Sequence, residues 1–104
     1  MPVLREWRAL VRRELSREYL EYVKATGIPA YRGTPGNLWA LAALRDLDAE
    51  RSEIVTLSLW SSLEAIGAFA GDDLDRARYF PEDDRYLLTR PERVAHYSCD
   101  GTPC

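Results

Sequence analysis

A single histidine, His96, stands in a sequence of 104 residues. Histidine is the residue type that titrates near neutral pH, which suits a general base or an iron ligand. The plainer alternative is a hydrogen-bonded structural histidine. Trp60 closes the run Ile54-Val55-Thr56-Leu57-Ser58-Leu59. Its indole can stack on an aromatic ligand or donate one hydrogen bond, or it can simply staple a strand end onto a helix. Tyr79 lies beside Arg76 and Arg78, a setting that could steady an anionic oxygen, or it packs its own loop. Asn37 is a turn residue first, although its amide could polarise a carbonyl. These four, His96, Trp60, Tyr79 and Asn37, are the catalytic candidates. Glu82-Asp83-Asp84 after Pro81 suits the positive end of a helix better than a metal, because three adjacent acids cannot all face one ion. No GxGxxG, P-loop, HExxH, GxSxG or CxxC occurs, so the sequence calls for no nucleotide cofactor, zinc site or serine nucleophile.

The elements that must position these side chains follow from periodicity. Val3, Trp7, Ala9 and Val11 alternate on one face of a strand near Leu4–Arg12, a set that Arg5 interrupts. Leu15, Tyr19, Leu20 and Val23 recur at helical spacing over Ser16–Thr26. Ser16 is the expected cap, Gly27 the expected left-handed stop, and Ile28-Pro29 the break. Ala30 to Gly36 reads as a loop. Leu38–Asp46 and Glu53–Trp60, joined by a short polar turn, read as a hairpin. Ser61-Ser62-Leu63-Glu64 resembles a capping box, with Leu63, Ile66, Phe69 and Ala70 as the buried stripe over Ser62–Ala70. Asp72 to Arg90 reads as a short helical turn, a loop and a second short helix, before a last strand at Arg93–Ser98. On Ile54 to Trp60 the odd positions Val55, Leu57 and Leu59 are purely apolar and are expected to face the core. The even positions are mixed, as a pocket wall would be.

The order is β-α-β-β-α-β, a ferredoxin-like α+β domain with a four-stranded antiparallel sheet, spanning residues 1–98 with a tail at 99–104. Helices cover one face of such a sheet. An apolar bare face must be covered, most simply by a second copy in a homodimer. The net charge of −3, with no basic block, argues against nucleic acid. No apolar run approaches the about 20 residues that span a bilayer, and the N-terminus lacks an apolar signal core, so no membrane and a cytoplasmic setting are expected. Cys99 and Cys104 could close only a small loop in the tail.

The segment Leu57-Ser58-Leu59-Trp60-Ser61-Ser62-Leu63-Glu64-Ala65-Ile66 to Phe69-Ala70-Gly71 resembles the antibiotic-biosynthesis-monooxygenase-like family. Ala77 to Asp84, Val94-Ala95-His96-Tyr97, Glu18-Tyr19-Leu20, Gly27-Ile28-Pro29 and Thr34-Pro35-Gly36-Asn37 extend the likeness from about Arg5 to Tyr97. The resemblance implies a dimeric α+β barrel with a pocket between sheet and helices. It also implies a cofactor-independent monooxygenase acting on an aromatic or polyketide-like substrate. His96 would then remove a proton, while Trp60, Tyr79 and Asn37 hold the anion. The alternatives are a polyketide cyclase using the same groups, a non-catalytic ligand-binding or accessory dimer, and a haem protein ligated by His96.

Overall fold

Alternation of large and small inward residues drives the first strand, β1 (Val3–Arg12), in which Val3, Arg5, Trp7, Ala9 and Val11 are all buried. The coordinates are a computed structural model that describes residues 2–100. A single 3-10 turn, Arg13–Leu15, leads into α1 (Ser16–Ala25) and α2 (Gly27–Arg32). The hairpin β2 (Asn37–Asp46) and β3 (Arg51–Trp60) follows, then α3 (Leu63–Ala70), the short α4 (Asp83–Tyr86) and β4 (Ala95–Ser98). The strands form one antiparallel sheet in the order β2-β3-β1-β4, which is the ferredoxin-like arrangement. Asp48 closes the hairpin, its carboxylate accepting the backbone N–H groups of Glu50 and Arg51.

Four local expectations change. The helix does not stop at Gly27. It breaks at Thr26 (φ −122°, ψ −71°) and resumes as α2. Pro29 falls in the first turn of α2, where a missing N–H costs nothing. Gly27 has no positive φ, because the left-handed glycines are Gly36 and Gly71. Ser16 does not cap α1; it is buried, and its hydroxyl donates to the Arg13 carbonyl. At α3 the cap is Ser62, which accepts the Ala65 N–H, so Glu64 is one residue too early for the reciprocal bond. Leu63 is exposed, leaving Ile66 and Phe69 as the buried stripe of α3.

The largest change concerns the sheet faces. The even positions of β3, namely Ser52, Ile54, Thr56, Ser58 and Trp60, lie under the helices and are buried, in register with the odd positions of β1. Val55, Leu57 and Leu59 therefore point to the helix-free face, beside Leu41 of β2 and Leu4 of β1. The helices choose the mixed face because its small residues, Ala9, Ala40, Ser52 and Ser58, admit large side chains from above. Tyr19, Val23, Ile28, Tyr31, Ile66 and Phe69 fill that space.

β4 pairs only with Val3–Glu6 of β1. The rest of that edge is met by the loop before β4. Val11 bridges Leu87, the Leu88 N–H donates to the Leu10 carbonyl, and the Leu10 N–H donates to the Thr89 hydroxyl. Cys99 extends the ladder by one bond, its N–H donating to the Pro2 carbonyl, while Cys104 lies outside the described residues. Among the described residues, no helix is long and apolar enough to cross a membrane.

Candidate active site

The register of the sheet places Arg5 of β1 between Ser58 of β3 and His96 of β4, on the helix-covered face. Arg5 is 1% exposed. Its Nη1 donates to the Leu74 carbonyl at 2.6 Å and lies 2.9 Å from His96 Nε2, and its Nη2 donates to the Arg76 carbonyl at 3.0 Å. Burial pulls its pKa below the usual arginine value, while the nearby Tyr31 hydroxyl and Asp75 carboxylate push the other way. Arg5 Nε is buried with no hydrogen-bond partner among the described residues.

A guanidinium only donates, so Nε2 of His96 must be the acceptor. The ring proton then sits on Nδ1, which faces Asp75 Oδ1 at 2.9 Å. The carboxylate, itself mostly exposed, thus reaches the buried cation through an imidazole rather than directly.

Above Arg5 is a cavity lined by Trp7, Tyr19, Tyr31, Thr56, Phe80 and Asp83, with the α1–α2 junction at its rim. The space is tight, with about 30 Å³ open to the centres of water-sized molecules. Asp83, 4% exposed, accepts the Tyr19 hydroxyl at 2.9 Å and the Phe80 N–H at 2.6 Å. Burial raises the Asp83 pKa above the ordinary carboxylate value, against the lowering effect of those two donors. Burial also drives the Tyr19 hydroxyl well above its ordinary pKa, with the Asp83 charge adding to the effect. The Tyr31 hydroxyl pairs with that of Thr56 at 3.2 Å, and Arg78 lies over the rings of Phe69 and Phe80.

The four residues singled out in the sequence are not gathered around this cavity. His96 stands behind Arg5 with both ring nitrogens engaged. Trp60 is fully buried one layer back, its indole N–H donating to Ser58 and its ring packed on Tyr31 and Phe69. Tyr79 touches the cavity through Trp7, whose indole N–H donates to its oxygen, and spends its own proton on the Pro91 carbonyl. Arg90, rather than Arg76 or Arg78, covers its ring. Asn37 sits at the irregular start of β2 and donates, at 3.4 Å, to the carbonyls of Trp39 and Leu59.

Arg5 and Asp83 are what the candidate list lacked. For Arg5 the signal was present: a charged residue in the inward set of an alternating strand. For Asp83 there was none, because its neighbours Glu82 and Asp84 look the same in sequence and are exposed in the structure.

No protein-family model matches the chain, and no curated protein matches it. Among solved structures, the chain is similar to a crystal structure from Bacillus cereus provisionally named an antibiotic biosynthesis monooxygenase. That match has a TM-score of 0.68 at 14% identity, over 99% of this chain and 97% of the other. At that identity the likeness establishes the fold, the four-stranded α+β sheet that the sequence order implied.

Proposed function

We propose that the protein is a small-molecule enzyme of the cofactor-independent monooxygenase type, acting on an aromatic or polyketide-like compound with an acidic proton. The observation that carries this reading is Asp83, a buried carboxyl with a raised pKa inside an aromatic-lined cavity. A carboxylate has about four lone-pair positions, and Asp83 uses two, so two remain, enough to accept a substrate proton. A general base works best with a pKa near the working pH, and burial moves Asp83 in that direction. His96 is a poorer base here, because its free lone pair already accepts from Arg5.

In this reaction Asp83 takes a proton from a phenol or an activated methylene. The carbanion form adds dioxygen at carbon to give a hydroperoxide. Loss of water then leaves a carbonyl, and substrate plus dioxygen have become oxidised product plus water. A cyclase would use the same proton removal next to a carbonyl, without dioxygen. Haem ligation is not carried forward, since neither ring nitrogen of His96 is free.

The test is dioxygen uptake with hydroxylated anthrone- and naphthol-type compounds. Asp83→Asn should lower the rate by roughly 10²–10⁴-fold. A ligand-dependent rise in melting temperature with no dioxygen uptake and no cyclised product would favour a binding protein instead. The small size of the cavity is the observation on that side.

The same reading includes a homodimer formed through the helix-free face. Leu41 and Tyr97 are exposed there, with Leu4, Val55 and Leu57 between them. A self-complementary contact on this face should bury about 1,600 Å² in total, and light scattering at micromolar concentration should return twice the chain mass.

A further inference from the structure

We infer that Arg5 is the specificity-determining residue of this cavity, and that its Nε–H receives the anionic oxygen of an aromatic acid or phenol. This rests on the cavity being a ligand site, as proposed above, and on no particular reaction.

A plainer reading makes Arg5 a clamp that pins the segment after α3. It accounts for Nη1 on Leu74 and Nη2 on Arg76. It does not account for the charge. The partners are two carbonyls and a neutral imidazole, and no carboxylate touches the guanidinium directly. A buried cation whose nearest carboxylate, Asp75, acts only through an imidazole is incompletely compensated, and the cost falls when an anion arrives. Nor does the clamp account for Nε. Of five N–H donors three have acceptors, and the buried Nε has none. Unsatisfied buried donors are rare in native folds and call for an explanation.

The surroundings narrow the ligand. Trp7, Tyr19, Tyr31 and Phe80 line the same space with ring faces and edges, and Arg78 and Asp83 add one ionisable group of each sign. His96 and Asp75 hold the guanidinium at Nη1, and Nε is left unpaired. A ring needs more room than the cavity has, so its entry moves Phe80, a half-buried side chain at the rim near Gly27.

The experiment is calorimetric titration of the whole protein with two isosteric pairs. The first is 2-naphthoate against 2-naphthamide. The second, read at a pH where the naphthol is partly ionised, is 2-naphthol against 2-methoxynaphthalene. In at least one pair the acidic member should bind tenfold or more tightly than its neutral partner. Preference in the first pair marks a carboxylate, and preference in the second alone marks a phenolate. Arg5→Met should reduce the preference below about twofold, with the fold checked by circular dichroism. Arg5→Lys, which keeps the charge but loses the Nε donor, should cut it several-fold and covers the case in which Arg5→Met does not fold. Equal binding within both pairs, or no binding by any of the four compounds, overturns the inference without need of a variant. So does a preference that survives in a folded Arg5 variant. Dioxygen uptake is not measured here, so a protein that prefers naphthoate yet oxidises nothing loses only the oxygenase reading.

Discussion

Toward the helices the central strands present Arg5, Ser52, Thr56 and Ser58 among Trp7, Ala9 and Ile54. Away from them, Leu4, Leu41, Val55, Leu57 and Leu59 are interleaved with Glu6, Arg8, Arg45 and Glu53, which form ion pairs with one another. The covered face holds the small hydroxyl side chains and one buried cation, and the bare face holds most of the charge. Two different demands explain this. The covered face must accept helix side chains of irregular shape and still leave a cavity, so it mixes small and polar residues with a few large ones. The bare face carries no helix, so its apolar side chains can alternate with ion-paired ones that water reaches. Apolarity alone does not report which face a protein buries within its own chain.

One substitution on each face sharpens the contrast. The largest effect is expected at Ile54, which is 0% exposed beneath the helices. Ile54→Ala should cost about 2–5 kcal/mol and lower the melting temperature by roughly 10 °C or more. Chemical and thermal melts measure this directly, and a loss below about 1 kcal/mol would break the assignment of this face as the core. Across the sheet, Leu57→Glu should leave the far-ultraviolet spectrum intact and halve the mass seen by light scattering. An unchanged dimer mass would show that this strip is not the contact between copies.

Asp83 supplies a pH-dependent difference. Its folded pKa is raised, so in the window above the ordinary carboxylate value the native state holds more protons than the unfolded one. Stability from this group is therefore greatest on the acid side and falls as pH rises through the window, levelling off above the raised value. Asp48 and Asp73, lowered by hydrogen bonds from backbone or arginine, act in the opposite sense. The measurement is thus the stability of wild type minus that of Asp83→Asn, followed with pH. A difference that stays flat or climbs would remove the buried-carboxyl argument. The smallest effect belongs to the cover itself: Ser62→Ala removes the cap of α3 and should cost about 1 kcal/mol, without altering the dimer.

Much of this architecture was legible before any coordinates. Period-two runs and two helical stripes yield the strand order and the hairpin, because backbone periodicity and burial are coupled one to one in this fold. The break at Thr26 was legible in position but not in outcome. Pro29 reads as a stop, yet in the first turn of a new helix it has no hydrogen bond to lose. Which sheet face the helices choose was not legible, since it depends on the volume left by Ala9, Ala40 and Ser58 rather than on hydropathy. His96 was found for its chemistry, but its partner decided its job. Only the register, which sets Arg5 opposite it, shows that the imidazole's lone pair is already in use.

The short β4 has a consequence for behaviour at high concentration. Left alone, the second half of β1 would offer a row of free backbone donors and acceptors, a template on which a foreign strand can grow. Leu87, Leu88 and Thr89 occupy part of that row without forming a regular strand, and Pro91 follows after Arg90. A proline has no N–H to extend a ladder. The loop therefore acts as a stopper against sheet-to-sheet polymerisation, and the protein stays dispersed at this edge without lengthening the sheet itself.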